Sequence, residues 1–587
     1  MSCGTAANDA EVRRERLRTQ SRLRTSHAHL RPLCLSAVSA FCAATSAVAV
    51  FPTLTGVSPN AFNPGTSVAV KFAGKLDGPG RRVWCDDPAI TFAPPDAGGA
   101  STIVVGPDAS PGLHLVRFVN NEGATLPVRF AVGPLPLLEE KEPNDEVTAP
   151  QSVPKLPAWI QGRLEKANDV DGFALTLKKG VPLFCKADAY TLGSPVDMHL
   201  HLLDQRGTRL ATSSDGQNLD PELSFTPAED GVYLLQVAGF GHPPASDINF
   251  TGSALCVYQL AISDAAVIQR VYPAAIPAEG KASVEALGQS LKPDGAKVEL
   301  SPARLPGFAD LGTVFPKGAV TPLAVVRARH PVQPPAEASL EQPAAYTPPF
   351  VTGGRLAKPG ASAAYRFTMK KGERLQARFW SRTIGLGLDG DLTVKNPAGE
   401  QVAANPNPSD VFQEPSVAWT AAQDGDYTLV VRDLFQRGGP SAEFVLEIAP
   451  PAPGYSIDLA DGKPLRIDAG KTLAVKAKAT FANGWKEPLI VRLAGLPEGV
   501  FAPEVAVPEK GGDFEIPLQA AANAPAATVA VSASVWTKAT PPTLLGIAFP
   551  LRGELRRGVS QSDFARDLWL TVAPPGTPPP PAAPAKK

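Results

Sequence analysis

The segment Asp171–Gly180, DGFALTLKKG, is the strongest indication of the fold, because a related segment occurs again later in the chain. The second copy, AAYRFTMKKG, lies 192 residues further on at 363–372. In both copies large apolar residues alternate with other residues before a Lys-Lys-Gly turn, which is the period of a half-buried strand. A second motif follows each copy at nearly the same spacing, DGVYLLQV at 230–237 and DGDYTLVV at 424–431. Two motifs repeated in the same order predict two copies of one β-rich domain.

The segments that precede the two copies repeat as well. PNAFNPGTSVAVKFAG at 59–74 and PAAIPAEGKASVEALG at 273–288 both run from a proline turn through an alternating strand to a glycine. The chain therefore reads A–B–A′–B′, followed from about residue 452 by a different β-rich segment. Short alternating strands bounded by Gly, Pro, Asp and Asn are typical of antiparallel sandwiches. We therefore predict an all-β chain of tandem antiparallel β-sandwiches, jelly-roll or immunoglobulin-like.

The composition agrees with a folded, turn-rich protein and narrows the partners. The 587 residues include 62 Pro and 51 Gly, and proline at this share argues against long helices. With 56 basic and 57 acidic residues the formal net charge is -1. A balanced charge gives no overall field for nucleic acid or for an anionic membrane. We therefore expect no nucleic-acid partner.

The first fifty residues resemble an export signal. Seven arginines between residues 13 and 31 precede the apolar stretch Leu33–Ala44, and Ala47-Val48-Ala49 fits the small-x-small cleavage pattern. We predict cleavage near Val50, which leaves no membrane span and gives a secreted, periplasmic or cell-surface protein. The alternatives are an uncleaved anchor, for which the apolar stretch is short, and a disordered basic leader.

The B segment resembles the bacterial pre-peptidase C-terminal (PPC) family, which includes the collagen-binding domains of clostridial collagenases. The resemblance covers roughly residues 138–263. It is carried by EKEPND at 140–145, IQG at 160–162, NDVDGF at 168–173 and DGVY at 230–233. Copy B′ keeps the strand and turn framework but has no EPND. The A segments are similar, more weakly, to TIG-type immunoglobulin-like modules. The resemblance implies jelly-roll-like sandwiches of the kind attached to secreted enzymes, where they serve binding, secretion or folding.

These observations together predict seven segments. They are a signal peptide (1–49), an Ig/TIG-like sandwich (50–135), a PPC-like sandwich (138–263), a second Ig/TIG-like module (264–340), a second PPC-like sandwich (345–449), a C-terminal sandwich (452–572) and a Pro-rich tail (573–587).

One group of residues in B predicts a calcium site. Carboxylate and amide oxygens cluster in two short segments, and calcium takes about six to eight oxygen ligands. In the collagen-binding relatives the matching stretches bind calcium, which implies ligands at Glu140, Glu142, Asn144, Asp145, Asn168 and Asp171. The alternative is a turn followed by a solvated loop containing Asp169 and Asp171. In B′ the aligned positions are Gly360, Ala361 and Ala363, so we expect no site there.

Other chemistry-bearing residues give weaker signals. The GxSxG motif of serine hydrolases, the HExxH motif of metalloproteases and the P-loop motif are absent from the sequence. His199 and His201 share one face of a strand and favour a solvated face over half of a zinc site. Asp389 and Asp391 favour a strand-entry loop over a glycosidase pair. Cys185 and Cys256 either form one bridge or remain buried thiols.

We therefore expect a secreted, non-catalytic, modular protein that binds an extracellular protein or polysaccharide. The alternative is an accessory or catalytic subunit of a secreted peptidase or hydrolase. Fold alone does not decide between them.

Overall fold

A computed structural model describes residues 51–216, 219–241, 249–291, 296–304, 310–405, 414–459, 463–548 and 567–575. The predicted leader and cleavage position, and tail residues 576–587, lie outside the described residues. The described part is almost entirely β, with one 3-10 turn at Arg382–Ile384. The prediction of an all-β chain of tandem sandwiches is confirmed. Among the described residues, no helix has the length and apolar character that a membrane crossing requires.

The first and third sandwiches are the smaller modules. In the first, the sheets have the orders β1-β3-β6-β5 and β2-β9-β7-β4, with β8 beside β7. In the third, the orders are β20-β22-β23 and β21-β26-β25-β24. Their strands are β1 (Thr53–Ser58), β2 (Ala61–Phe62), β3 (Thr66–Lys75), β4 (Arg82–Cys85), β5 (Ile90–Phe92), β6 (Ala100–Val105), β7 (Gly112–Asn120), β8 (Gly123–Ala124), β9 (Val128–Val132), β20 (Val267–Tyr272), β21 (Ala275–Pro277), β22 (Ala282–Gln289), β23 (Ala296–Leu300), β24 (Ala303–Arg304), β25 (Leu311–Val314) and β26 (Leu323–Ala328).

The second and fourth sandwiches share one topology. In the second, the sheets have the orders β10-β12-β19-β14-β17 and β11-β13-β18-β15-β16, and in the fourth β27-β29-β36-β31-β34 and β28-β30-β35-β32-β33. Their strands are β10 (Leu137–Glu139), β11 (Gln151–Ser152), β12 (Ala158–Arg163), β13 (Asp171–Leu177), β14 (Leu183–Asp188), β15 (Val196–Leu203), β16 (Arg209–Ser213), β17 (Glu222–Phe225), β18 (Gly231–Gly241), β19 (Val257–Ser263), β27 (Val332–Gln333), β28 (Ala344–Ala345), β29 (Phe350–Arg355), β30 (Ala363–Met369), β31 (Arg374–Trp380), β32 (Gly390–Lys395), β33 (Gln401–Ala404), β34 (Ser416–Thr420), β35 (Gly425–Asp433) and β36 (Glu443–Ala449).

The fifth sandwich is different. Its sheets have the orders β37-β39-β43-β41 and β38-β46-β44-β40-β42, with β45 beside β44. Its strands are β37 (Gly454–Leu459), β38 (Leu465–Asp468), β39 (Thr472–Ala482), β40 (Leu489–Ala494), β41 (Val500–Phe501), β42 (Val505–Ala506), β43 (Gly512–Ala520), β44 (Ala527–Thr537), β45 (Leu544–Ile547) and β46 (Asp567–Ala573).

The structure differs from the sequence analysis in two respects. The entry strands β10, β11, β27 and β28 pair in parallel with their neighbours, so the sandwiches are not purely antiparallel. In addition, β27 (Val332–Gln333) lies within the range 264–340 of the third module, yet it pairs with β29 of the fourth sandwich. A strand of two residues carries no periodicity that would have revealed this.

The Lys-Lys-Gly turn and the Asp-Gly motif contact each other in both sandwiches that contain them. In the second sandwich the Asp230 carboxylate accepts the backbone N–H of Lys179 at 2.8 Å and lies 3.0 Å from Lys178 Nζ. In the fourth, Asp424 accepts the N–H of Lys371 at 2.7 Å and lies 3.4 Å from Lys370 Nζ. A carboxylate that accepts a turn N–H ties one strand connection to another. The Lys-Lys-Gly turn and the Asp-Gly motif therefore form one structural unit.

Neighbouring sandwiches are joined by specific polar contacts. Gln161 Oε1 in the second sandwich accepts the N–H groups of Asn60 and Ala61 in the first, both at 3.1 Å. Arg378 in the fourth pairs with Asp310 in the third at 2.6 Å. The first sandwich also meets the fifth, where the rings of Trp84 and Trp569 lie 6.0 Å apart at 79°.

Candidate functional site

The two acidic segments of the second sandwich lie side by side at the start of β13. Glu142 Oε2 accepts the N–H of Asn144 at 3.0 Å, which folds the first segment into a compact turn. The carbonyl of Asn144 then accepts the N–H of Gly172 at 3.1 Å. A Cβ at position 172 would lie 2.9 Å from that carbonyl oxygen, so only glycine permits this approach.

The second segment turns sharply before it enters β13. Asn168 has a φ of 65°, in the left-handed region that asparagine tolerates better than most residues. Its N–H donates to the carbonyl of Phe250 at 2.9 Å. Asp169 and Asp171 are both buried. The Asp169 Oδ2 atom accepts the N–H of Glu165, and Asp171 Oδ2 accepts the phenol of Tyr258.

These contacts bring four carboxylates together as an acidic cluster of Glu142, Asp145, Asp169 and Asp171. One oxygen from each lies within 4.8 Å of the others. The Oδ1 atoms of Asp145, Asp169 and Asp171 are buried and accept no hydrogen bond from the described residues, and the same holds for Oδ1 of Asn144. Buried oxygens without a donor are costly. Four such oxygens on two neighbouring segments form a set of hard donors suited to calcium.

Four carboxyl groups in and beside the acidic cluster have raised pKa values, because negative charges are buried together with too few cations nearby. Burial raises the pKa of Asp171 to about 8, assisted by Glu140, Asp169 and Glu142 and opposed by the Tyr258 hydrogen bond. Burial, followed by the nearby Glu142, raises the pKa of Glu140 to about 7. The pKa values of Glu142 and Asp169 are raised as well, chiefly by burial. Raised carboxyl pKa values are expected where like charges are buried together.

One cation reaches the rim of the cluster. Lys166 Nζ lies 2.8 Å from Asp145 Oδ2 and 3.6 Å from Asp169 Oδ1. The Lys166 side chain is 61% exposed, so its ammonium group approaches from the solvent side. The buried Oδ1 of Asp171 has no hydrogen-bond partner among the described residues.

Not all of the six predicted ligands lie in the acidic cluster. Glu142, Asp145 and Asp171 belong to the acidic cluster, and Asn144 adds its buried carbonyl oxygen. Glu140 lies beside it, where its Oε1 accepts Asn144 Nδ2 at 3.0 Å.

Asn168 is the residue that departs from the prediction, since its side chain is exposed and its backbone makes the turn. Asp169 supplies the inward oxygen instead. The sequence signal for this was the alternation of Asp169 and Asp171, which puts both side chains on one side of an extended segment.

The fourth sandwich lacks these groups at the corresponding positions. Asp171 pairs with Val237 across β13 and β18, and Ala363 pairs with Val431 across β30 and β35 in the same way. Tyr258 faces Gly162, whereas its counterpart Phe444 faces Gly354. The residues in register with Asp171 and Tyr258 are thus an alanine and a phenylalanine, neither of which offers a ligand.

The remaining sequence candidates have structural partners. The ring Nδ1 atoms of His199 and His201 lie 3.0 Å from Ser214 Oγ and 2.8 Å from Thr212 Oγ1. Asp389 pairs with Arg382 at 2.6 Å and with Arg437.

The two cysteines of the second sandwich are free buried thiols within one core. The bridge that the sequence allowed between Cys185 and Cys256 is therefore absent from the structure.

Comparison with known proteins yields no family model and no curated protein that matches this chain. Solved structures do match. The pre-peptidase C-terminal domain of a Bacillus anthracis collagenase is 10% identical, covers 21% of this chain and 99% of its own, and has a TM-score of 0.15. A Bacteroides ovatus protein solved with a mixed-linkage heptasaccharide is 10% identical, covers 68% of this chain and 75% of its own, and has a TM-score of 0.14.

The four N-terminal Ig domains of Dscam1 are 10% identical, cover 89% of this chain and 99% of their own, and have a TM-score of 0.18. At these identities and TM-scores the likenesses carry no argument about activity or ligand. The β-sandwich class of the chain follows from its own sheets.

Proposed function

We propose that this chain is an exported, non-catalytic binding protein built from five β-sandwiches, in which the second and fourth are duplicated PPC-like domains and only the second holds calcium. The observation that carries the calcium proposal is the set of four buried oxygens at Asn144, Asp145, Asp169 and Asp171, none of which accepts a hydrogen bond from the described residues. Calcium would neutralise the like charges and coordinate these oxygens. The ion would then stabilise the fold around the start of β13.

If the second sandwich binds calcium, the ion should stabilise the folded protein strongly. A ligand that binds only the folded state stabilises it by about 2.7 kcal/mol at a hundredfold excess over Kd. The full chain should therefore melt higher in millimolar calcium than in chelator. Magnesium should have a smaller effect, because it demands a tighter octahedral shell.

Asp171→Asn provides the sharpest test, because it keeps the shape of the side chain and removes one charge. Without calcium the variant should melt at or above the wild-type temperature, since a costly buried carboxyl is gone. With calcium it should lose most of the shift in melting temperature. The control is Glu229→Gln, which alters an exposed carboxylate in the turn before β18. Equal calcium shifts in the wild type and in Asp171→Asn would refute the site.

The proposed binding role is supported by an exposed aromatic residue on a hydrogen-bonded loop. After β35, the side chains of Leu434 and Phe435 are 52% and 67% exposed. The buried Asp433 holds this loop through the N–H groups of Phe435 and Arg437, at 3.1 and 2.8 Å. The guanidinium of Arg437 lies 5.1 Å from the Phe435 ring centre. An exposed ring fixed in place suits contact with an extracellular protein or polysaccharide.

Binding to matrix proteins and to glycans, each with and without calcium, tests this role. Phe435→Ala should weaken binding to the responsive polymer, while Phe435→Tyr should retain it. Hydrolysis of protein or glycan substrates that survives clean purification would instead favour the alternative of a catalytic subunit.

A further inference from the structure

A second group of metal-ligating side chains lies in the first sandwich, apart from the acidic cluster. Cys85 ends β4, Asp86 follows it, and His114 lies in β7, which pairs with β4. One ligand atom from each of the three lies within 4.8 Å of the others. The three residues, here called the thiol–histidine cluster, combine a sulfur, a nitrogen and an oxygen donor. This combination is typical of transition-metal sites and unlike the oxygen-only shell of calcium.

The histidine ring is fixed in the orientation that a ligand requires. His114 Nε2 lies 2.7 Å from the carbonyl oxygen of Ser110, so Nε2 carries the hydrogen of that bond. The other nitrogen, Nδ1, faces Asp86 Oδ1 at 3.3 Å. The ring is 5% exposed and packs against Phe130, with ring centres 5.6 Å apart. Metal-binding histidines are commonly held this way, with the remote N–H donated to a backbone carbonyl.

The support for that histidine is itself held in place. The Asp87 carboxylate accepts the N–H of Ala89 at 2.8 Å and the N–H of Ser110 at 3.0 Å. Asp87 therefore fixes the loop whose Ser110 carbonyl orients His114. Asp87 is a positioning residue, because its oxygens are used by the backbone.

The thiol is close enough to complete the set. Cys85 Sγ lies 3.6 Å from Asp86 Oδ1. Burial, reinforced by the charge of Asp86, raises the pKa of the Cys85 thiol, so the thiol keeps its proton when no cation is present. A coordinated metal replaces that proton and reverses the effect. The same raised pKa argues against Cys85 as a free nucleophile.

We propose that Cys85, Asp86 and His114 bind a divalent transition-metal ion of the zinc type. Three protein ligands leave one position of a tetrahedral shell for water or for a group of a bound partner. The Asp86 side chain is 35% exposed, so this open position faces solvent. The site is independent of the calcium proposal, since it lies in a different sandwich and uses different donors.

The third sandwich provides an internal comparison. His114 pairs with Phe130 across β7 and β9, and Gly312 pairs with Val325 across β25 and β26. Ala61 and Ala275 are at the same position in the two repeats, and they pair in parallel with Ala131 and Val326. Counting from these pairs, His114 and Gly312 occupy the same position in the two sandwiches. The related module thus has a glycine where the first has its histidine ligand.

Cobalt(II) titration of the full, reduced and metal-free chain tests the proposal. We expect a thiolate-to-cobalt charge-transfer band that depends on Cys85 and saturates at one equivalent of cobalt. Zinc should displace the cobalt ion and abolish the band. Cys85→Ser should abolish this component, and His114→Gln should weaken it at least about 100-fold, since even outer-shell changes cost about 10- to 100-fold. The difference between wild type and Cys85→Ser excludes any contribution from the cysteines of the leader.

Two controls keep the result decisive. Glu142→Gln, which alters the acidic cluster, should leave the cobalt band unchanged, so that either site can fail alone. Zinc should protect Cys85 from alkylation in the wild-type protein, a measurement that needs no variant. If no band depends on Cys85 at millimolar cobalt and zinc gives no protection, the proposal is overturned and His114 and Asp86 are only an ion pair.

Discussion

The phenol of Tyr258 donates a hydrogen bond to Asp171 Oδ2 inside the second sandwich, and this bond leaves Asp171 Oδ1 facing the acidic cluster. Phe444 and Ala363 replace the pair in the fourth sandwich. A partner that orients a ligand carboxylate commonly affects metal affinity by about 10- to 100-fold. We therefore predict that Tyr258→Phe weakens calcium binding about tenfold, as measured by isothermal titration. An unchanged affinity would mean that Tyr258 does not orient the ligand.

A buried tyrosine of the fourth sandwich, Tyr365, provides a contrast. The Tyr365 hydroxyl is buried and has no hydrogen-bond partner in the part of the chain that the structure describes. Removal of an unpaired buried hydroxyl relieves a desolvation cost of about 1–3 kcal/mol. Tyr365→Phe should therefore leave calcium binding unchanged and keep or raise the melting temperature. A clear loss of stability would show that the hydroxyl has a partner, such as an ordered water.

Lys166 is expected to compete with calcium for the acidic cluster. Its ammonium group lies against Asp145 and Asp169 and must move when a divalent ion arrives. Lys166→Gln should therefore raise calcium affinity severalfold at low salt and less at high salt, because salt screens exposed charges. The control is Lys178→Gln, which breaks another exposed Lys–Asp pair in the same sandwich at 3.0 Å. A drop in affinity for Lys166→Gln would contradict the prediction.

Asp433 should make the fourth sandwich sensitive to acid. Burial works to raise the pKa of Asp433, but the hydrogen bonds from Arg437 and the backbone outweigh it and hold the pKa below its ordinary value. A lowered pKa in the folded state stabilises the fold above about pH 4, and this contribution is lost as the pH falls through the lowered value. Asp433→Asn should cost about 2 kcal/mol at pH 7. The melting temperatures of the variant and the wild type should converge as the pH falls toward about 2. A difference in melting temperature that does not change with pH would show that ionised Asp433 does not stabilise the fold.

The second and fourth sandwiches should each fold alone. Their apolar cores are separate clusters, centred on residues such as Phe173 and Tyr258 in one and Phe367 and Phe379 in the other. Fragments 136–264 and 331–450 should unfold cooperatively. Calcium should raise the melting temperature of the first fragment only. Failure of both fragments to fold would show that their contacts with neighbouring sandwiches are essential.

The strands were predictable from sequence because their periodicity is local. The two strands that begin at Asp171 and Ala363 bury alternate side chains from Phe173 and Tyr365 onward, as the repeated motifs predict. The acidic segments were predictable as a pair, but Asn168 and Asp169 exchanged their expected positions. That exchange depends on the left-handed turn at Asn168 and its bond to Phe250, a contact distant in sequence.

The thiol–histidine cluster was missed for a similar reason. Cys85 and His114 are brought together by the pairing of β4 with β7, and no short motif connects them. The polar contacts between sandwiches, such as that of Gln161 with Asn60, likewise leave no local pattern in the sequence. Sequence periodicity thus predicts what each strand buries, while the pairing of distant strands determines which functional groups meet.

The contact between Trp84 and Trp569 changes how the protein would carry a mechanical load. In a string of modules, tension passes through every module in turn. Here the first and fifth sandwiches touch, and Arg82 also donates a hydrogen bond to the Thr528 carbonyl across the same boundary. A pull between these two sandwiches would first separate this interface, and only then would it strain the sheets of the three sandwiches between them.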